Sequence, residues 1–105
     1  MSMEYRIERT DTANEQLRDI ILYRADVTGD PGSALELLDL MEAEIRQLAD
    51  FPEMGAPPRY AALRRRGFRV LIIEKYLAFY KIDKVRHLVT IYAIVDGRRD
   101  YLNLI

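Results

Sequence analysis

Arginine and tyrosine stand out among the residues of this chain that could do chemistry. Arg64, Arg65, Arg66 and Arg69 form one basic cluster and Arg98 with Arg99 a second, and Tyr60, Tyr76, Tyr80, Tyr92 and Tyr101 lie among them. A guanidinium fork binds phosphate and stacks on bases, and aromatic rings stack on unpaired bases. If the sheet is antiparallel, these sequence-distant clusters are expected to converge on one edge. Tyr80 and Tyr92 read best as sheet packing, while Tyr60 and Tyr101, near loops, divide evenly between packing and contact. His87, the single histidine, is the one side chain that ordinarily titrates near neutrality.

Other chemistries fit poorly. The absence of cysteine excludes disulfides and thiolate metal sites. Asp19, Asp26, Glu36, Asp39, Glu42 and Glu44 fall mostly opposite apolar stripes, as on solvated helix faces, with no histidine nearby, so no metal site is expected. No glycine-rich loop follows a strand, so no nucleotide cofactor is expected either. The net charge of −1 hides an asymmetry: residues 1–55 hold 5 basic and 13 acidic side chains, residues 56–105 hold 11 and 4. Such a dipolar surface suits a polyanion or an acidic partner. Met1–Thr10 alternates charged and apolar residues, unlike a signal peptide, and the longest aliphatic run is Val70–Ile73. The chain reads as soluble and cytosolic, with no membrane partner.

The elements that must position these residues follow from periodicity. Glu4–Glu8 alternates as a short strand with Tyr5 and Ile7 on one face. Thr12 and Glu15 fit a capping box ahead of the stripe Ala13, Leu17, Ile20, Ile21 and Arg24, and Gly29 is a left-handed stop. Ser33 and Glu36 repeat the box ahead of Ala34, Leu37, Leu38, Met41, Ile45 and Leu48. So short a turn, Asp30-Pro31-Gly32, makes the two helices an antiparallel hairpin. Phe51-Pro52 begins a loop to Pro58, and Ala62–Arg66 reads as a short edge strand. Phe68–Glu74, Tyr76–Ile82 and Arg86–Val95 read as strands, the last with His87, Val89, Ile91, Ala93 and Val95 on one face. Arg98–Ile105 reads as a tail with one helical turn. The expected fold is α+β: an N-terminal strand and a helical hairpin packed on one face of a mostly antiparallel sheet of four to five strands, in one domain over residues 1–105.

Nearly the whole chain resembles the RelE/ParE superfamily of toxins, the toxic half of type II toxin–antitoxin (plasmid stabilisation) modules. The resemblance runs from the opening Tyr5-Arg6-Ile7 and Ala13…Leu17…Ile20 through Leu48…Phe51-Pro52-Glu53-Met54-Gly55 and Leu63-Arg64…Gly67-Phe68-Arg69. It continues through Tyr76-Leu77-Ala78-Phe79-Tyr80-Lys81-Ile82 to Ile94…Gly97-Arg98-Arg99-Asp100-Tyr101. It implies a growth-inhibiting toxin and a cognate antitoxin whose C-terminal segment covers the toxin's functional face, in a toxin–antitoxin hetero-oligomer. Some members cut mRNA on the ribosome without metal, and others poison DNA gyrase without being nucleases. Arg69 and Arg99 match basic positions of the nuclease type, which leaves Tyr101 or His87 to move protons. Two further basic positions fall at Leu71 and Leu77. Arg64, Arg65, Arg66, Arg98 and Tyr60 are the expected binding residues. An inert module that retains antitoxin binding alone is the alternative.

Overall fold

The computed structural model describes residues 4–105. Met1, Ser2 and Met3, part of the N-terminal segment read above, lie outside the described residues. The chain runs β1 (Arg6–Arg9), α1 (Asp11–Thr28), α2 (Pro31–Arg46), a 3-10 turn (Gln47–Ala49), α3 (Ala61–Arg65), β2 (Arg69–Ile73), β3 (Tyr76–Asp83), β4 (Leu88–Asp96) and a 3-10 turn (Leu102–Leu104). The sheet order is β1-β4-β3-β2, with β1 parallel to β4 and the other pairs antiparallel. The α+β fold and helical hairpin match the expectation, in a sheet of four strands.

The helix caps differ from the sequence reading. Thr10, not Thr12, caps α1: its hydroxyl oxygen accepts from the Ala13 amide at 3.1 Å and donates to the Tyr92 carbonyl at 3.1 Å. That second bond, to a strand far along the chain, selects Thr10 over the local box. Asp30, not Ser33, caps α2 by accepting from the Gly32 amide at 2.9 Å, with Pro31 in the first turn, where its missing N–H costs nothing. Gly29 ends α1 at φ 64 with its amide on the Ala25 carbonyl.

Three strand-level expectations are corrected. Ala62–Arg66 is not an edge strand, because Ala61–Arg65 forms α3. Alanine and leucine favour the helix, and Leu63 anchors it in the core. The edge of β2 is instead met by a single bridge from Ala56 to Val70. His87 is not on the last strand: at φ 50 it closes the β3–β4 turn, half-buried beside Tyr5 with ring centres 5.1 Å apart. Nor do Val89, Ile91, Ala93 and Val95 share a face. Tyr80 pairs with Ile91 but Phe79 pairs with Ala93, so Tyr92 is the extra residue of a β-bulge and the parity of β4 inverts there.

The inversion feeds two cores. On the helix-covered face, Leu71, Ala78, Tyr80, Val89, Ile91 and Ile94 pack against Leu17, Leu37, Met41 and Leu48. On the other face Val70, Phe79, Ala93 and Val95 meet Leu63, Phe68 and Tyr101, with Tyr60, Leu77 and Ile105 at the margin. Only the α3 and tail side of this second face carries that cover, and the remainder positions the candidate site.

Candidate functional site: the basic end of the sheet

The uncovered part of the second face lies where β2 begins and β3 ends. Arg69 pairs with Tyr80, so Phe68 stands beside Lys81, which pairs with Thr90, which in turn pairs with Glu8. The Lys81 ammonium sits 4.6 Å from the centre of the Phe68 ring and 5.3 Å from that of Tyr92. The Arg66 guanidinium lies 5.0 Å from the same Phe68 ring, and Phe68 meets Tyr92 edge-on at 5.4 Å. Neither Lys81 nor Arg66 forms an ion pair among the described residues. Tyr92, expected in the core, is 37% exposed because it is the bulge residue. Lys81 and Tyr92 were not singled out as site residues from sequence, and the one signal pointing to Lys81 is its place in the Tyr-Leu-Ala-Phe-Tyr-Lys strand.

Beside this cluster a loop is fastened to the sheet end. Buried Tyr80 donates its hydroxyl to the Pro52 carbonyl at 2.8 Å and accepts from the Gly55 amide at 3.1 Å. Arg69 donates one Nη to the carbonyls of Glu53 and Gly55, at 2.9 and 2.6 Å. Lys84 bridges to Glu53 at 2.8 Å, and this partnership holds the Glu53 carboxyl below, and the Lys84 ammonium above, their ordinary ranges. A cleft of about 360 Å³ opens between Glu53, Pro57, Arg64, Phe68, Arg69 and Lys84.

The residues expected from sequence are dispersed. Arg64 turns one Nη onto the carbonyls of Pro58 and Arg59, while Arg65 and Arg66 are exposed on and after α3. Tyr60 packs edge-on against Tyr101 at 5.5 Å. Tyr101 also lies 5.3 Å from Phe79 and is 5% exposed, and burial first, then Tyr60, pushes its phenol above the ordinary value. Arg98 pairs with Asp96 at 3.0 Å, which draws the Asp96 carboxyl down and the Arg98 guanidinium up. Arg98 and Arg99 follow Asp96, which pairs with Tyr76, whereas Arg69 pairs with Tyr80 and, through it, Ile91. At roughly 3.3 Å per residue, the four residues from Tyr76 to Tyr80 set the two arginine groups about 13 Å apart along the strands. The structure therefore brings Arg64, Arg66 and Arg69 to one end, with Arg98 and Arg99 at the other. His87 sits in the turn beyond β3. No cluster of metal-ligating side chains occurs among the described residues, and none of their helices is long and apolar enough to cross a membrane.

Fold and site together define a small α+β protein with a fastened loop and a basic, aromatic end. A family model described as "ParE toxin of type II toxin-antitoxin system, parDE" matches residues 7–101, and the chain belongs to that family. The fold is similar to a chain of the chromosomal ParDE toxin–antitoxin system from P. aeruginosa, with a TM-score of 0.73 and 20% identity over 90% of this chain and 98% of that one. It is also similar to a chain of the toxin–antitoxin complex RelBE2 from Mycobacterium tuberculosis, with a TM-score of 0.61 and 19% identity over 90% and 92% of the two chains. No curated protein matches the chain.

Proposed function

We propose that this chain is a growth-inhibiting toxin that acts in the cytoplasm by binding its target through the basic end of the sheet, without cutting RNA. Its neutralising partner is a cognate antitoxin. The observation that carries the reading is the dispersal of the groups that cleavage would need. A ribose hydroxyl attacking phosphorus requires a base, a leaving-group acid and charge neutralisation at one point. Here Tyr101 is in a core, His87 is at a turn beside Tyr5, Arg69 holds loop carbonyls, and Arg99 is at the far end of the sheet. Binding needs only a complementary surface, so DNA gyrase suits this chain better as target than ribosome-bound mRNA does.

Expressing the chain without its partner tests this. Growth should stop, purified chain should block gyrase supercoiling, and primer extension on cellular mRNA should show no new 5′ ends. New mRNA ends with unaffected gyrase would overturn the reading, and normal growth would identify an inert antitoxin-binding module.

A further inference from the structure

At the open part of the second sheet face, two cations converge on one aromatic ring beside an exposed tyrosine. Lys81 and Arg66 both sit within 5.0 Å of the Phe68 ring centre, and neither is neutralised by a carboxylate among the described residues. Phe68 is buried and fixed edge-on against Phe79 and Tyr92, so the ring beneath the cations is part of the core. We infer that Lys81, Arg66 and Tyr92 form a site for single-stranded nucleic acid, the two cations on phosphates and the Tyr92 ring on a base. This rests on the proposed reading of the basic end as the working surface and adds an unpaired nucleic-acid strand to the protein target proposed there.

The chemistry favours an unpaired strand. A cation held against an aromatic ring keeps its N–H donors for an incoming phosphate, and a base face reaches an exposed tyrosine only when it is unpaired. An acidic peptide would meet the same cations but would gain nothing from the Tyr92 ring. The neighbouring carboxylates set the direction of the strand. Glu8 lies across Thr90 from Lys81, two strands away, and Asp83 is bound to the Arg86 amide at the hairpin. Both repel phosphate, so the backbone must run from Lys81 towards Arg66 and α3 and away from β1.

Fluorescence anisotropy of the full chain with labelled oligothymidylate and oligouridylate, over a salt titration, tests the site. Lys81→Gln and Arg66→Gln should each weaken binding about tenfold and lower the salt slope by about 0.7 per lost phosphate contact. Tyr92→Ala should weaken it by roughly fivefold to a hundredfold, whereas Tyr92→Phe should retain it. Tighter uridylate binding supports RNA as the source and tighter thymidylate binding supports DNA. The inference is overturned if neither oligomer binds, if Tyr92→Ala binds as the wild type does, or if polyglutamate displaces the oligomer at equal charge. A chain that stops growth but binds no oligomer overturns this inference alone. One that binds through these residues yet leaves growth untouched overturns the functional reading instead.

Discussion

The two ends of the sheet use arginine in opposite ways. At the end where β2 begins, Arg69 and Arg64 hold main-chain carbonyls, and Arg66 and Lys81 are left as unpaired cations over Phe68. At the end where β4 finishes, Arg98 is tied to Asp96 within its own turn, and the tail folds back to bury Tyr101. A guanidinium on carbonyls fastens backbone without losing its charge, so the first end is both rigid and positive. A guanidinium on a carboxylate is locally neutral, so Arg98 is closed electrostatically at the second end, where exposed Arg99 forms no ion pair among the described residues. Counting arginines along the chain merges these ends, and only their hydrogen-bond partners separate them.

The loop at the first end offers the strongest test. A Cβ on Gly55 would stand 2.5 Å from the Tyr80 hydroxyl and 2.6 Å from the Val70 carbonyl oxygen, which cannot retreat without breaking the bridge to Ala56. Gly55→Ala should therefore lower stability by about 3 kcal/mol in urea unfolding, as overpacking with lost hydrogen bonds does. A change within error would mean that the loop is not fastened as described. Arg69→Met keeps the stem but removes both carbonyl bonds, for about 2 kcal/mol. Growth inhibition per folded molecule should persist. If it vanishes while the fold is intact, Arg69 contacts the target and the two ends differ less than their hydrogen bonds indicate.

Much of the fold was legible because its signals are local. The α1 stripe from Ala13 to Ile21 and the stop at Gly29 hold in any context, and the strand at Tyr76 follows from its own residues. The bulge at Tyr92 was not legible, since what supports it lies elsewhere. The Thr10 hydroxyl takes the Tyr92 carbonyl and the Gln16 side chain takes the Ile94 amide, from 82 and 78 residues away along the chain. That remote pair inverts the face of β4, exposes Tyr92 and divides the apolar residues between two cores. The candidate site was half legible for the same reason. Arg66 could be named from its cluster, but Lys81 and Tyr92 become neighbours of Phe68 only through cross-strand register and the bulge.

At the second end, Asp96 accepts from the Arg98 amide at 2.9 Å and from its guanidinium, and its carboxyl is depressed by that partner. A carboxyl depressed on folding adds stability above its ordinary value of 3.8, and that stability is lost as pH falls through the lower folded value. Asp96→Asn should cost about 1 kcal/mol at neutral pH, discounted because Arg98 is largely exposed. It should also flatten the acid limb of the stability curve. An unchanged acid limb would mean that the pair does not close this end.

The smallest effect separates packing from chemistry at Tyr101. Its hydroxyl makes no hydrogen bond among the described residues, and its ring is held by Phe79 and Tyr60. Tyr101→Phe should therefore leave neutral-pH stability within about 0.5 kcal/mol and growth inhibition unchanged. Burial raises the phenol above its ordinary 10.0, so the unfolded chain ionises first as pH rises, and the wild type loses stability from there through the folded value. The phenylalanine variant lacks that loss and should be the more stable of the two in alkaline urea titrations. Abolished toxicity in a fully folded Tyr101→Phe chain would make the hydroxyl a reacting group, and the second end of the sheet, not the first, would then hold the working site.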